Sequence, residues 1–245
     1  MTPELDGRRI VVSGGTSGLG KAAAAALSAA GARVWILGSD SGTLDAALAD
    51  LDVAGGSACD VADEAAVGAA FDALLSELGG LDGAFVNAGI DGEDKPALEL
   101  SADHFRRVLD VNVIGAFLVA RAAARAMEPG SSIVVNASVN ALRPERGFAD
   151  YNASKAAALS LAQTLALELA DHGIAVSAIC PGYIRTRMTE PYLDDPQVAP
   201  ELLADIPAGR FGEPEEVARL VGFLLAPGAA YMTGSAITID GGRNV

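Results

Sequence analysis

Two kinds of apolar pattern alternate along the chain. The first is short, unbroken and β-branched, as in Arg9-Ile10-Val11-Val12-Ser13, Arg33-Val34-Trp35-Ile36-Leu37 and Ile133-Val134-Val135-Asn136. Such runs predict strands buried on both faces. Gly56-Ser57-Ala58-Cys59 closes a weaker one, and 83–86, 174–179 and 236–239 complete a set of seven. The second pattern is longer and rich in alanine and leucine. It predicts helices over 18–30, 44–51, 63–78, 101–127 and 151–171, and a further one opening at Glu213-Pro214-Glu215-Glu216. The stops are read from local chemistry. Gly31 and Gly173 end two helices, Ser101 caps the start of 101–127, and Pro129-Gly130 is expected to terminate it.

Buried strands that alternate with helices predict a parallel sheet covered on both sides. The expected fold class is α/β, a single domain with a doubly wound seven-stranded sheet of the Rossmann type spanning 1–245. One stretch breaks the rhythm. Segment 183–212 is long, acidic and carries Pro191, Pro196, Pro200 and Pro207. A lid over a substrate is the preferred reading, and a disordered tip is the other.

Composition narrows the partners. The 245 residues carry 17 Lys+Arg against 32 Asp+Glu, a formal charge of -15. That balance opposes nucleic acid, which is held by cations displacing counterions, and opposes docking on anionic membranes. No apolar run reaches the roughly 18 residues of a membrane span, and the first residues do not resemble a secretory signal. Cys59 and Cys180 show no paired or metal-ligand spacing, so they read as two buried thiols of a cytoplasmic protein. No metal is expected, because neither His104 nor His172 has ligand spacing.

Candidate chemistry lies at the ends of strands. The first strand runs into Gly14-Gly15-Thr16-Ser17-Gly18-Leu19-Gly20. A glycine-rich turn there brings backbone N–H groups and a helix start toward an anion, where a Cβ would obstruct. Tyr151 and Lys155 are four apart, on one face of a helix. Moving a phenol from about 10 to near 7 takes about 4 kcal/mol. An ammonium at about 4 Å supplies that order of energy at an effective dielectric of about 20. The same spacing also describes an ordinary helix pair. Ser138, at the carboxyl end of the fifth strand, could hydrogen-bond a substrate oxygen or simply form a turn. Asn112 is a poor mid-helix residue that either distorts the backbone around a water or faces solvent. Asn87-Ala88-Gly89 forms either a turn or a cofactor wall.

Taken in order, these motifs resemble the short-chain dehydrogenase/reductase family in its form of roughly 250 residues, over essentially the whole chain. The matching pieces are the glycine turn, Asp60, Asn87-Ala88-Gly89, the Asn112/Ser138/Tyr151/Lys155 set, and Pro181-Gly182 followed by Thr186. Ser13 stands where the family usually has threonine. The resemblance implies an NAD(P)-dependent oxidoreductase interconverting a secondary alcohol and a ketone, with the cofactor carrying the hydride. It implies Tyr151 as general acid/base, Lys155 on the nicotinamide ribose and lowering the tyrosine pKa, Ser138 polarising the substrate oxygen, and Asn112 holding a water. Gly14, Thr16, Ser17, Gly18, Leu19, Asp60, Val61, Asn87, Ala88 and Gly89 would contact the cofactor. Pro181, Gly182, Ile184 and Thr186 would fix its nicotinamide end.

The end of the second strand bears on cofactor choice. Gly38 and Ser39 occupy the usual acidic and basic positions, Ser17 is not basic, and Asp40 follows. This favours NAD through the ribose hydroxyl, with NADP left open. Substrate contacts are expected from Ser138, Val139, Asn140, Tyr151 and Tyr183, with Arg143 and Arg146 available to an anionic substrate or simply exposed. Two other readings stand. One is an NADPH-dependent 3-oxoacyl or polyketide-type ketoreductase, for which Arg106, Arg121 and Arg125 would offer a basic patch to an acidic carrier. The other is a dinucleotide-binding regulator without turnover. The apolar faces of 101–127 and 151–171, and the family's habit of pairing these helices, predict a homotetramer.

Overall fold

A computed structural model describes residues 5–245. Seven parallel strands form one sheet in the order β3-β2-β1-β4-β5-β6-β7. They are β1 (Arg9–Ser13), β2 (Arg33–Gly38), β3 (Gly55–Ala58), β4 (Leu81–Val86), β5 (Met127–Asn136), β6 (Ala175–Pro181) and β7 (Ala236–Ile239). The chain starts mid-sheet, winds outward to β3, then returns beside β1 and winds the other way. The reversal between β1 and β4 is the switch point at which open α/β sheets bind ligands.

Alternation along each strand builds two cores. Val11, Ala84, Val86, Ile133, Val135, Val176 and Ala178 point to one face, while Ile10, Val12, Phe85, Val134 and Ile179 point to the other. The first core is covered by α3 (Glu64–Leu78), α5 (Ala116–Ala126) and α6 (Ala149–Leu169). The second is covered by α1 (Gly18–Ala29), α2 (Ser41–Asp50) and α9 (Pro214–Leu225). Cys59 and Cys180 are both buried and unpaired. No described helix is long and apolar enough to cross a membrane.

Two expectations are corrected. The single helix expected over 101–127 is three pieces: α4 (Ala102–Leu109), a π-helical turn over Asp110–Gly115, and α5. Asn112 sits in that turn at 2 % exposure, so its solvent-facing alternative is wrong. Pro129-Gly130 does not terminate the helix. The backbone is already extended at Met127, and a register irregularity between Leu81 and Gly83 lets β4 pair with both Met127 and Ser132. Gly130, at φ +92, turns there and donates its N–H to the Gly173 carbonyl. Segment 183–212 contains α7 (Glu190–Leu193) and α8 (Ala199–Ala204), held on a small core of Leu193, Ile206 and Phe211.

Candidate active site

The carboxyl ends of β1, β4 and β5 are tied together across the switch point. Ser13 Oγ accepts from the N–H groups of Asn87 (2.9 Å) and Ala88 (3.1 Å). Asn87 Nδ2 donates to the Ser13 carbonyl at 3.1 Å, and Asn136 Nδ2 donates to Asn87 Oδ1 at 2.9 Å. Serine therefore serves at position 13, because only its hydroxyl is used. The glycine turn is set by space. A Cβ on Gly20 would lie 2.0 Å from the Gly14 carbonyl oxygen, and Gly14 itself has φ +64. Ser17 precedes α1 without a side-chain cap, so the first-turn N–H groups are left for an anion.

A cleft runs from this turn in two directions. Toward the sheet centre it is lined by Gly14, Ser17, Gly18 and Leu19, then by Asn87, Ala88 and Gly89. It continues to Ser138, Tyr151 and Lys155, with Pro181, Gly182, Ile184 and Thr186 opposite. Toward β2 it is lined by Thr16, Ser17, Gly38, Ser39, Asp60 and Val61. An added Cβ on Gly89 would come within 3.1 Å of Asn112 Oδ1 and 3.6 Å of Lys155 Nζ, so only glycine leaves that wall open. The cradle and the bare helix start fit a nicotinamide dinucleotide. Asp40 is placed differently from expectation. Its Oδ1 accepts the Thr43 N–H at 2.8 Å as the cap of α2, and Asp40 does not line the cleft. A Cβ on Gly38 would press to 2.4 Å from Thr16 Cγ2, which explains the missing acid there.

The candidate reacting groups come from three elements. Tyr151 and Lys155 share the first turns of α6. Lys155 Nζ donates to the Asn136 carbonyl at 2.9 Å and lies 5.5 Å from the centre of the Tyr151 ring. Ser138 Oγ accepts the Asn140 N–H at 3.1 Å, and Ser138 and Tyr151 line the same stretch of the cleft. Asn112 accepts from Ile90 N–H (2.8 Å), donates to the Ile90 carbonyl (2.9 Å) and donates to Ser154 Oγ (3.0 Å). Its amide thus pins the loop after β4 to α6.

Protonation is set by burial. Desolvation pushes the Tyr151 phenol above its ordinary value, with the charge of Asp91 adding to the rise and the neighbouring Ser138 hydroxyl opposing it. Lys155 is itself desolvated and lowered to about 8, with Asp91 opposing the fall.

A second cavity adjoins the cleft, and Ser138, Tyr151 and Gly182 line both. Val139, Asn140, Tyr183 and Arg146 line this second cavity. Asn140 Nδ2 is committed to Asn152 Oδ1 at 3.0 Å. Tyr183 donates to Glu145 Oε1 and lies under the Arg243 guanidinium, 4.6 Å away. Arg143 is turned away, bonded to the Arg243 carbonyl and to Asp205. The basic patch is largely neutralised, because Arg106 pairs with Asp103 and Arg121 with Glu64. Sequence reasoning missed Asp91, Glu145 and Arg243, which no local spacing marks and which only the fold brings to the cavity. It also missed Asp150, wholly buried beside Tyr151 and bonded to His104 Nδ1 at 2.9 Å.

The chain is similar to known proteins over nearly its whole length. The family profile described as Enoyl-(Acyl carrier protein) reductase matches residues 14–244. The chain is 41% identical over 244 residues to 4-formylbenzenesulfonate dehydrogenase of Comamonas testosteroni, covering 96% of this chain and 97% of that protein. It is similar to a 3-ketoacyl-(acyl-carrier-protein) reductase from Brucella melitensis complexed with NADH, at 32% identity and TM-score 0.89, covering 98% of this chain and 100% of that one. A short chain dehydrogenase from Burkholderia cenocepacia in complex with NADP is 34% identical at TM-score 0.89, covering 99% of this chain and 100% of that one. With the crevice, the glycine cradle and the hydroxyl pair in place, the chain belongs to the short-chain dehydrogenase/reductase family and is an NAD(P)-dependent oxidoreductase that interconverts secondary alcohols and ketones.

Proposed function

We propose that Tyr151 is the general acid/base of this reaction, that Ser138 orients the reacting oxygen, and that NAD is the preferred cofactor. The observation that carries the reading is the double exposure of the Ser138–Tyr151 pair, which lines both the cofactor cleft and the adjoining cavity. A substrate in the second cavity therefore meets the pair beside the cleft.

A bound nicotinamide supplies or accepts the hydride and, when oxidised, carries a positive charge. Tyr151 Oη gives its proton to the carbonyl oxygen in reduction and takes the hydroxyl proton in oxidation. Because Ser138 Oγ already accepts from Asn140 N–H, its own O–H is free to donate to the Tyr151 or substrate oxygen. Lys155, bonded to the Asn136 carbonyl, is held where it can reach a ribose. Asn112 holds the Ile90 loop against α6 and keeps an Oδ1 lone pair beside Gly89 and Lys155, where a water would fit the expected relay. Thr16, Ser17, Asp60 and Val61 surround the adenosine end.

For cofactor choice, neither Ser17 nor Ser39 offers a cation at the turn and the end of β2, although Arg106, paired with Asp103, and Arg107 line the same side of the cleft. A neutral ribose hydroxyl would suit these two serines better than a 2′-phosphate, which calls for a cation at that position. Segment 183–212 is read as the substrate lid, since Met188, Thr189, Tyr192, Val198 and Leu202 roof the second cavity.

Tyr151→Phe tests both parts. Oxidation of secondary alcohols should fall by at least about a hundred-fold, the scale of general acid–base catalysis. The variant should still bind NADH, and more tightly than NADPH, by fluorescence titration. Retained turnover would remove Tyr151 from the reaction, and tighter NADPH binding would overturn the cofactor choice.

A further inference from the structure

We infer that Asp91 is a specificity-determining residue that accepts a second hydroxyl of the substrate, so that the pocket selects diols and hydroxyketones over simple alcohols and ketones. The inference rests on the proposed role of Tyr151 and Ser138.

Asp91 is held against the reacting group. Asn112 clamps both backbone groups of the preceding Ile90. The following Gly92 has no room for a side chain: an added Cβ would lie 2.4 Å from Asp150 Oδ1 and 3.0 Å from Tyr151 Cβ. The loop is thus pressed onto the base of Tyr151, and its carboxylate enters the cavity that Ser138 and Tyr151 share. Asp91 bears electrostatically on both Tyr151 and Lys155.

The carboxylate is short of donors. A carboxylate has about four acceptor positions. Among the described residues, Oδ1 takes the Gly92 N–H at 2.9 Å and Oδ2 takes the Tyr192 hydroxyl at a long 3.3 Å. Burial disfavours its charged form. A half-buried acceptor with open positions gains from any donor that arrives with the substrate.

The other charged groups of the cavity face opposite charges or are exposed, although the buried Arg243 keeps its Nε and Nη1 without a hydrogen-bond partner among the described residues. Glu145 takes the Tyr183 hydroxyl and faces Arg243, and Arg243 also faces Asp205. Asp94 and Arg146 are exposed. A substrate ammonium would also donate to Asp91, but it would share the site with the Lys155 ammonium and the positive ring of an oxidised nicotinamide. A neutral hydroxyl meets the acceptor without that repulsion.

The test is a set of matched pairs with NAD in excess: isopropanol against propylene glycol, and cyclohexanol against its trans vicinal diol, with the corresponding trans amino alcohol as a third member. The readout is the ratio of kcat/KM within each set. Wild type should favour the diol by at least about ten-fold, the effect of one hydrogen bond to a charged group. Asp91→Ala should bring the ratio close to one, and Asp91→Asn, which keeps an acceptor oxygen, should restore part of it. Equal use of alcohol and diol by the wild type overturns the inference and leaves the role of Tyr151 standing. Preference for the amino alcohol overturns it in favour of a cation site. Turnover of no member with either cofactor fails the secondary-alcohol reading itself, and this inference with it. Because the wild-type ratio is decisive alone, misfolding of a variant does not protect the proposal.

Discussion

Tyr151 and Lys155 show how little a spacing says about protonation. Their four-residue separation places them on one helical face, yet both groups are governed first by loss of water. The phenol is driven up and the ammonium down, each toward its neutral form. In the proposed mechanism the charge that favours phenolate comes from the Lys155 ammonium, still largely protonated at neutral pH with a value of about 8, together with that of an oxidised nicotinamide. Lys155 gives a measurable consequence. Its folded value, about 8, lies below the ordinary 10.5, so between these pH values the unfolded chain binds more protons and stability rises with pH. The buried thiols of Cys59 and Cys180, each raised to about 11 from 9.0, work in the opposite sense above pH 9. The comparison must therefore be with a variant. The stability advantage of Lys155→Met over wild type, measured by urea unfolding without cofactor, should be greatest below pH 8 and shrink steadily toward pH 10.5. A constant difference would show that Lys155 keeps its ordinary pKa.

At the scale of elements, the π-turn is the feature that the apolar pattern concealed. The positions of 101–127 look helical throughout, and one extra residue per turn does not change their composition. What requires the wider turn is the packing of Asn112 into the gap between Ile90 and Ser154. Gly115 contributes, since a Cβ there would come within 2.6 Å of Val61 Cγ2. Removing the amide leaves the Ile90 N–H and carbonyl without their partners. Asn112→Ala should cost about 1–3 kcal/mol in denaturant unfolding, and it should lower kcat because the Ile90–Asp91 loop loses its anchor beside Tyr151. Unchanged stability would mean that water takes over both bonds.

At the scale of the whole molecule, charge and exposed apolar surface pull in opposite directions. A formal charge of -15 opposes association. Against this, Ile114 and Phe117 are half exposed beside each other on the π-turn and α5, and Leu167 of α6 is 81 % exposed. These are the helices expected to pair about a two-fold axis, and large apolar side chains left in water on both favour burial against a second copy. We propose a tetramer. Light scattering at micromolar concentration and near-physiological salt should give about four times the monomer mass of 24.7 kDa. A monomer mass at every salt concentration would refute it.

The sequence by itself determined the strand and helix alternation, the glycine turn and the order of the reacting residues. These depend on local periodicity and on side chains that only one backbone geometry tolerates, as at Gly20. Tertiary structure decided the rest, because it turns on distances between residues far apart in the chain. It alone brought Asp91 to Tyr151, turned Arg143 away to Asp205, committed one oxygen of Asp40 to α2, and set protonation by a burial that no local pattern expresses.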